Sequence, residues 1–260
     1  MNDGRSHEKT RGTLFYDDSP EVGADRVPIV LLPGGSLNSS YLIPLANRLV
    51  QAGHRVVRIE ARGTRAEGDG RAVTMHTFAD EVAAVMARLE LPPSWIAGHA
   101  FGNRVARTVA LDFPGRVHGL ILLAAGGTVT PSAEAQEALR IAFSDVTDSE
   151  AEAAMIYMVG DPGDAVAAWH AIKEARDPGL GAVQRTANLA TPQEEWAPIR
   201  PGAKALIIQG TRDQIAPPAN GEQLAASNPG NTRLLSIDGA GHLFPFLQPE
   251  ETARKVLDSI

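Results

Sequence analysis

Three short stretches of the sequence carry residues whose types and spacing suit acid, base or nucleophilic chemistry. His242 lies in GAGHLFPFLQPE, Asp213 lies in GTRDQIAPP, and Ala100 is the central residue of GHAFG. A histidine oriented by a carboxylate can act as a general base, which contributes roughly 10²–10⁴ to a rate. The methyl group of Ala100 can neither attack a carbonyl nor donate a proton, so a covalent acyl-enzyme at this position is excluded.

A fourth stretch, LLPGGSLNSSY, offers backbone donors near these side chains. The N–H of Gly35 is expected to pair with the N–H of Phe101, which begins the helix after GHAFG, to hold a developing oxyanion. Ser36 is the nearest alternative nucleophile, but nothing in the sequence places it within reach of His242.

The elements that must position these residues are apolar strands alternating with helices. Each of the four stretches follows or includes the end of a run rich in Val, Ile and Leu, as expected for strands buried on both faces. Helix-period apolar stripes over residues 78–89 and 105–113 lie between the runs. This alternation predicts a parallel sheet covered by helices. The six runs are VPIVLLP (27–33), HRVVRIEA (54–61), SWIAG (94–98), VHGLILLAAG (117–126), AKALIIQG (203–210) and NTRLLSIDG (231–239).

Residues 128–200 interrupt this pattern with helix-forming segments only, one of which carries a possible capping box of Ser149 with Glu152. An insertion of roughly 70 residues between two strands is far longer than an ordinary connection. We therefore expect a core formed by residues 1–127 and 201–260 and a helical lid formed by 128–200, placed over the carboxyl ends of the strands where ligands bind. The candidates for substrate contact, against an equally good interpretation as packed side chains, are Ser36, Tyr157, Trp169, His170 and Trp196.

The order 100, 213, 242 is the elbow, acid, histidine order of the α/β-hydrolases. Over residues 27–260 the chain resembles that superfamily, and its lidded esterase-like and C–C-hydrolase-like members are closest in layout. The resemblance implies an α/β fold with a mostly parallel central sheet flanked by helices. It also implies Asp213 as the acid, His242 as the base, Gly35 and Phe101 as oxyanion donors, and Ala100 in the place of the nucleophilic serine.

Two stretches depart from the pattern of that superfamily. Pro33-Gly34 stands where a His-Gly is frequent, which leaves the backbone donor but removes an imidazole. EARGTRAEG (60–68) has Glu60 and Arg65 where the superfamily turn has an aspartate and a glycine. Both departures bear on the subfamily rather than on the fold.

Composition and motifs exclude several other classes of protein. A net charge of −7 is unlike a nucleic-acid surface, and no apolar run is long enough for a membrane span. The chain has no cysteine and no metal or nucleotide motif, so we expect no metal and no cofactor. A cytoplasmic monomer or homodimer acting on a small molecule is expected. Among the other histidines, His7 is expected to lie in a mobile tail, His54, His76 and His118 are interpreted as surface or strand-end residues, and His99 is interpreted as a neighbour of the elbow that is not the base.

Four functions fit these residues. The favoured one is hydrolysis of a small, largely apolar ester, lactone or C–C substrate by water that His242 and Asp213 activate directly. The second is proton abstraction without hydrolysis, as in a lyase, an isomerase or a cofactor-free dioxygenase. The third is a conventional serine hydrolase whose serine was changed to Ala100, and the fourth is a ligand binder without catalysis.

Overall fold

A seven-stranded sheet forms the centre of the protein, in a computed structural model that describes residues 15–19, 26–63 and 72–260. The strand order is β1-β3-β2-β4-β5-β6-β7, and every neighbouring pair is parallel except β1 with β3. The predicted mostly parallel α/β architecture is confirmed. The strands are β1 (Phe15–Asp18), β2 (Ile29–Leu32), β3 (Val56–Glu60), β4 (Ser94–His99), β5 (Val117–Leu123), β6 (Ala205–Gly210) and β7 (Thr232–Ile237).

The edge strand β1 is the one described strand that the apolar pattern does not predict. Its sequence, FYDD, has no continuous apolar run, so periodicity gives no strand signal there. It pairs antiparallel with β3, and Asp18 forms an ion pair with Arg55 at 2.6 Å. The sheet is therefore one strand wider than the six apolar runs indicate.

Helices cover both faces of the sheet because successive strand residues point to opposite sides. In β2, Ile29 and Leu31 join one apolar cluster with α1 and α10, whereas Val30 and Leu32 join a second cluster with α2 and α3. The helices are α1 (Ile43–Gln51), α2 (Met75–Arg88), α3 (Phe101–Asp112), α4 (Ala133–Ala142), α5 (Asp148–Met155), α6 (Ala165–Ala175), α7 (Pro178–Ala190), α8 (Ala219–Ser227), α9 (Phe244–Leu247) and α10 (Pro249–Leu257). Within the described ranges, none of them is long and apolar enough to cross a membrane.

The four helices α4 to α7 lie between β5 and β6, and their segment contacts loops that follow strands of the sheet. The N–H of Leu243 donates to the carbonyl of Met158 at 3.1 Å. The N–H of Asn38 donates to the carbonyl of Ala175 at 2.7 Å. The loop after β2 and the loop after β7 are therefore both bonded to the inserted segment.

Two local expectations are corrected. The capping box of α5 is Thr147 with Glu150, not Ser149 with Glu152, because the helix begins two residues earlier and Thr147 has the extended backbone that a cap requires. His54 is not a surface residue: it is 4% exposed, and its Nδ1 lies 3.0 Å from the carbonyl oxygen of Val27, an arrangement that pairs the buried ring. His7 and Arg65 lie outside the described residues.

Candidate active site

The turn between β4 and α3 places Ala100 at the carboxyl edge of the sheet. Ala100 has φ 49° and ψ −110°, a strained backbone that costs an alanine on the order of 1–3 kcal/mol. The flanking glycines make this turn possible: a Cβ on Gly102 would lie 2.5 Å from the carbonyl oxygen of Leu32, and one on Gly98 would overlap the backbone of Gly102. Strand, turn and helix therefore form the sharp elbow that the sequence predicts.

His242 and Asp213 meet as predicted, although each comes from a different loop. His242 Nδ1 lies 2.8 Å from Asp213 Oδ2, and Asp213 Oδ1 accepts the N–H groups of Ile215 and Ala216 at 2.9 and 2.7 Å. The Asp213 side chain is fully buried and that of His242 is 9% exposed. Because the carboxylate can only accept, Nδ1 carries the proton and Nε2 presents its lone pair. Among the described residues, Nε2 has no hydrogen-bond partner, as a general base requires.

A buried relay runs from the loop after β2 to the loop of His242 through Tyr41 and His99. His99 Nε2 lies 3.0 Å from the carbonyl oxygen of His242, so Nε2 must be the donor. His99 Nδ1 is then an acceptor, and it receives the hydroxyl proton of Tyr41 at 2.7 Å. The Tyr41 oxygen in turn accepts the N–H of Gly34 at 2.7 Å.

The protonation states of the relay follow from burial. Burial, with a smaller electrostatic contribution from the neighbouring His242 ring, lowers the pKa of His99 to about 3, so the His99 ring is neutral at working pH. Burial also raises the pKa of Tyr41 well above its usual value, and the hydroxyl keeps its proton. The His99 ring packs against that of His242, with 4.9 Å between the ring centroids.

The two expected oxyanion donors lie beside each other. A Cβ built on Gly35 would lie 3.5 Å from the Cβ of Phe101, so the loop after β2 packs against the first turn of α3. Within the described ranges, neither the N–H of Gly35 nor that of Phe101 donates to a protein acceptor. The amino end of α3 adds its positive dipole at the same point. Two free donors and a helix terminus together favour an anionic oxygen here.

The side chains proposed for substrate contact differ in burial and in the elements that they contact. Ser36 is half-buried with φ 60°, and its side chain packs against Gly181. Tyr157 is half-buried in the turn after α5, and His170 is exposed on α6. Trp169 is 1% exposed and donates its indole N–H to Asp148 at 3.0 Å. The hydrogen bond of its indole N–H therefore stays within the inserted segment.

Trp196 is also buried, at 6% exposure, and it packs against α3 rather than beside the dyad. The guanidinium of Arg104 lies 4.7 Å from the centre of its ring. A cavity of about 480 Å³ opens near Tyr157, between Ile156–Pro162 and Thr211–Gln214, but neither Ala100 nor His242 lines it. The substrate contacts proposed for these side chains remain predictions.

Sequence reasoning missed two contributors to this site, Tyr41 and Gln184. Gln184 of α7 is 6% exposed, and its Oε1 accepts the N–H of Ser36 at 2.7 Å. Gln184 belongs to no motif, and Tyr41 closes the stretch LLPGGSLNSSY without standing out in it. The contacts of Tyr41 with His99 and of Gln184 with Ser36 span 58 and 148 residues of chain. The unusual turn EARGTRAEG, which begins at Glu60, is a sequence feature that points to this region. There Arg62 reaches the inserted segment through an ion pair with Asp177 at 2.6 Å.

A search of the described residues finds no group of three or more His, Asp or Glu side chains arranged to hold a metal ion. A base, a fixed acid and two N–H donors can deprotonate a nucleophile and stabilise the oxyanion that results.

Comparisons with known proteins agree with this geometry. The model of the family described as "Alpha/beta hydrolase family" matches residues 29–255. The Mycobacterium tuberculosis protein BpoC, named as a non-heme bromoperoxidase, is 25% identical over 256 residues, covering 91% of this chain and 93% of BpoC. Rhodomycin D methylesterase DnrP from Streptomyces peucetius is 27% identical over 267 residues, covering 88% of this chain and 89% of that enzyme.

Solved structures show the same fold. The crystal structure of BpoC matches with a TM-score of 0.76 and 23% identity, over 98% of this chain and 97% of that one. The esterase EaEST from Exiguobacterium antarcticum matches with a TM-score of 0.74 and 18% identity, over 95% and 94% of the two chains. With the elbow, the sheet order and the family model in agreement, the chain belongs to the α/β-hydrolase family.

Proposed function

We propose that this protein hydrolyses a small, largely apolar carbonyl compound by a non-covalent route in which His242 activates water directly. The observation that carries the proposal is the 2.8 Å hydrogen bond between His242 and a fully buried Asp213, beside an elbow residue that cannot be a nucleophile. The carboxylate holds the imidazole in the tautomer whose Nε2 is free to accept a proton.

The steps of the reaction follow from the placement of these groups. Nε2 of His242 takes a proton from water as the water oxygen attacks the substrate carbonyl. The N–H groups of Gly35 and Phe101 stabilise the oxyanion of the tetrahedral intermediate. Asp213 stabilises the positive charge of the His242 imidazolium. The tetrahedral intermediate then collapses: the bond between the former carbonyl carbon and the leaving group breaks, and the imidazolium returns its proton to that group.

Ester substrates are supported by the relatives, since DnrP is named as a methylesterase and EaEST as an esterase. The same attack of water on a carbonyl group would also hydrolyse lactones and C–C bonds next to a carbonyl. We further propose that residues 128–200 act as the lid of this site, because they contact both the loop after β2 and the loop of His242. Ser36, Tyr157, Trp169, His170 and Trp196 stay candidates for substrate contact.

The test measures hydrolysis of p-nitrophenyl acetate and of short-chain lactones by the wild type, His242→Ala and Asp213→Asn. We expect both variants to lose about 10²-fold or more in kcat, toward the uncatalysed rate. The matched control is His118→Ala, an exposed histidine at the start of β5, which should stay within about twofold of the wild type. Equal rates in the wild type and His242→Ala would overturn the proposal.

Two further measurements separate the direct route from the alternatives. The wild type should show no burst and no labelling by a fluorophosphonate, and the product acid should carry ¹⁸O from labelled water. Consumption of O₂ or isomerisation without ¹⁸O uptake would indicate proton abstraction instead. A large gain in esterase rate with fluorophosphonate labelling in Ala100→Ser would indicate a serine hydrolase that lacks its nucleophile.

A further inference from the structure

From Ser36 to Asn38, the backbone of the loop after β2 is bonded to the inserted segment. The carbonyl of Ser36 accepts the N–H of Asp177 at 2.8 Å, and Leu37 forms an isolated antiparallel bridge with Arg176. Ser36 itself has φ 60°, a conformation that a serine rarely adopts. The shape of this loop therefore depends on contacts made by the insertion.

Of three consecutive N–H groups in this loop, the outer two donate hydrogen bonds to side chains and the middle one does not, within the part of the chain that the structure describes. The N–H of Gly34 donates to Tyr41, and the N–H of Ser36 donates to Gln184, each at 2.7 Å. The N–H of Gly35 lies between them and donates to no acceptor among the described residues. Fixing the peptides on both sides restricts the direction of the free N–H, in the way that preorganised donors are held for a transition state.

Gln184 is the side chain of the insertion that completes this arrangement. Its Oε1 lies 3.5 Å from the position that a Cβ on Gly35 would occupy, which is also 3.5 Å from the Cβ of Phe101. The residue is 6% exposed, so little water competes for Ser36. The carboxamide is neutral, and it lies beside both expected oxyanion donors.

We propose that Gln184 is a positioning residue for the oxyanion hole: its carboxamide fixes Ser36 so that the N–H of Gly35 stays beside the N–H of Phe101. This inference rests on the proposed function and adds a requirement for a neutral acceptor at position 184. A carboxylate there would still accept the N–H of Ser36, but its negative charge would oppose a developing oxyanion.

The test compares Gln184→Met, which removes the acceptor, with Gln184→Glu, which keeps an acceptor and adds a charge. On p-nitrophenyl acetate, we expect Gln184→Met to lower kcat about tenfold with little change in KM, since a displaced donor costs less than the 10²–10³ of a deleted one. The ratio of Gln184→Glu to wild-type kcat should be low at pH 8 and rise as the pH falls and the glutamate is protonated. Arg185→Gln, an exposed change on the same helix, is the control and should match the wild type.

Amide hydrogen exchange gives a readout that needs no turnover. Exchange at Ser36 should quicken in Gln184→Met and stay slow in Gln184→Glu and Arg185→Gln, with thermal melts showing that each variant is folded. A kcat ratio for Gln184→Glu that does not vary with pH, or slow exchange at Ser36 in Gln184→Met, overturns the inference. If His242→Ala abolishes hydrolysis while both Gln184 variants behave as the wild type, only this inference fails. If His242→Ala is fully active, the proposed function fails as well.

Discussion

Replacing Tyr41 by phenylalanine tests whether the buried relay holds the loop after β2 and the loop of His242 together. The change deletes one hydroxyl and keeps the ring, which is 2% exposed against the core. That hydroxyl serves two partners, the N–H of Gly34 and Nδ1 of His99, each at 2.7 Å. Tyr41→Phe therefore leaves one buried donor and one buried acceptor without a partner.

The size of the effect follows from counting those groups. Each buried polar group left unpaired costs about 1–3 kcal/mol, so two cost about 2–6 kcal/mol in the free energy of unfolding. His99 is 1% exposed, which leaves no room for water to replace the hydroxyl without movement of the loop. If the loop of Gly34 moves to find water, the loss of stability is smaller but the N–H of Gly35, the proposed oxyanion donor, is displaced.

Urea unfolding followed by circular dichroism measures this loss. The matched control is Tyr157→Phe, because Tyr157 is half-buried and its hydroxyl has no hydrogen bond among the described residues. The control should change the free energy of unfolding by no more than about 0.5 kcal/mol. If Tyr41→Phe is as stable as Tyr157→Phe and also keeps full activity on p-nitrophenyl acetate, the relay is refuted.

Two further changes test the fold around the site. Gly102→Ala should sharply reduce the yield of folded protein, since its Cβ would lie 2.5 Å from the carbonyl oxygen of Leu32, whereas Gly115→Ala, with open space around its Cβ, should fold normally in the same expression test. His76 is partly buried, which lowers its pKa, but hydrogen bonds to Asp112 and Glu195 outweigh burial and raise that pKa above 6.5. Its contribution to stability is therefore present below pH 6.5 and is lost as the pH rises through the folded pKa. We expect the free energies of unfolding at pH 6 and pH 8.5 to differ more in the wild type than in His76→Gln. The excess should be less than about 1 kcal/mol because the side chain is partly exposed, and equal differences in the two proteins would contradict this.

The parts of the site that follow a strand directly were predictable from the sequence. GHAFG, Asp213 and His242 each stand at the end of a run whose burial sets its direction, and parallel strands bring such ends to one edge. The meeting of His242 with Asp213 is thus a consequence of topology. A short edge strand such as β1 has no comparable signal, because half of its residues are aspartate.

Contacts made by the insertion were not predictable in the same way. Gln184 acts through one hydrogen bond to a residue far away in the chain, and helix periodicity indicates which face of a helix is apolar but not which loop it meets. Tyr41, which lies outside the insertion, likewise reaches His99 through a long-range hydrogen bond that no sequence pattern indicates. Trp169 illustrates the limit, since its indole is satisfied by Asp148, a partner 21 residues away within the insertion. Side-chain pairing of this kind requires the packed arrangement of α5 and α6.

The turn at Ala100 keeps its strained backbone although alanine lacks the hydroxyl group of the serine usual at this position. An alanine at φ 49° is less favourable than a glycine, so the conformation is imposed by the surroundings rather than chosen by the residue. What the turn positions is the N–H of Phe101 on one side and the ring of His99 on the other. His99 in turn bonds to the backbone of His242, while Gln184 and Tyr41 hold the peptides around Gly35. The elbow thus places the N–H of Phe101 and the ring of His242, the proposed oxyanion donor and the proposed base, relative to each other, and that role is independent of the side chain at position 100.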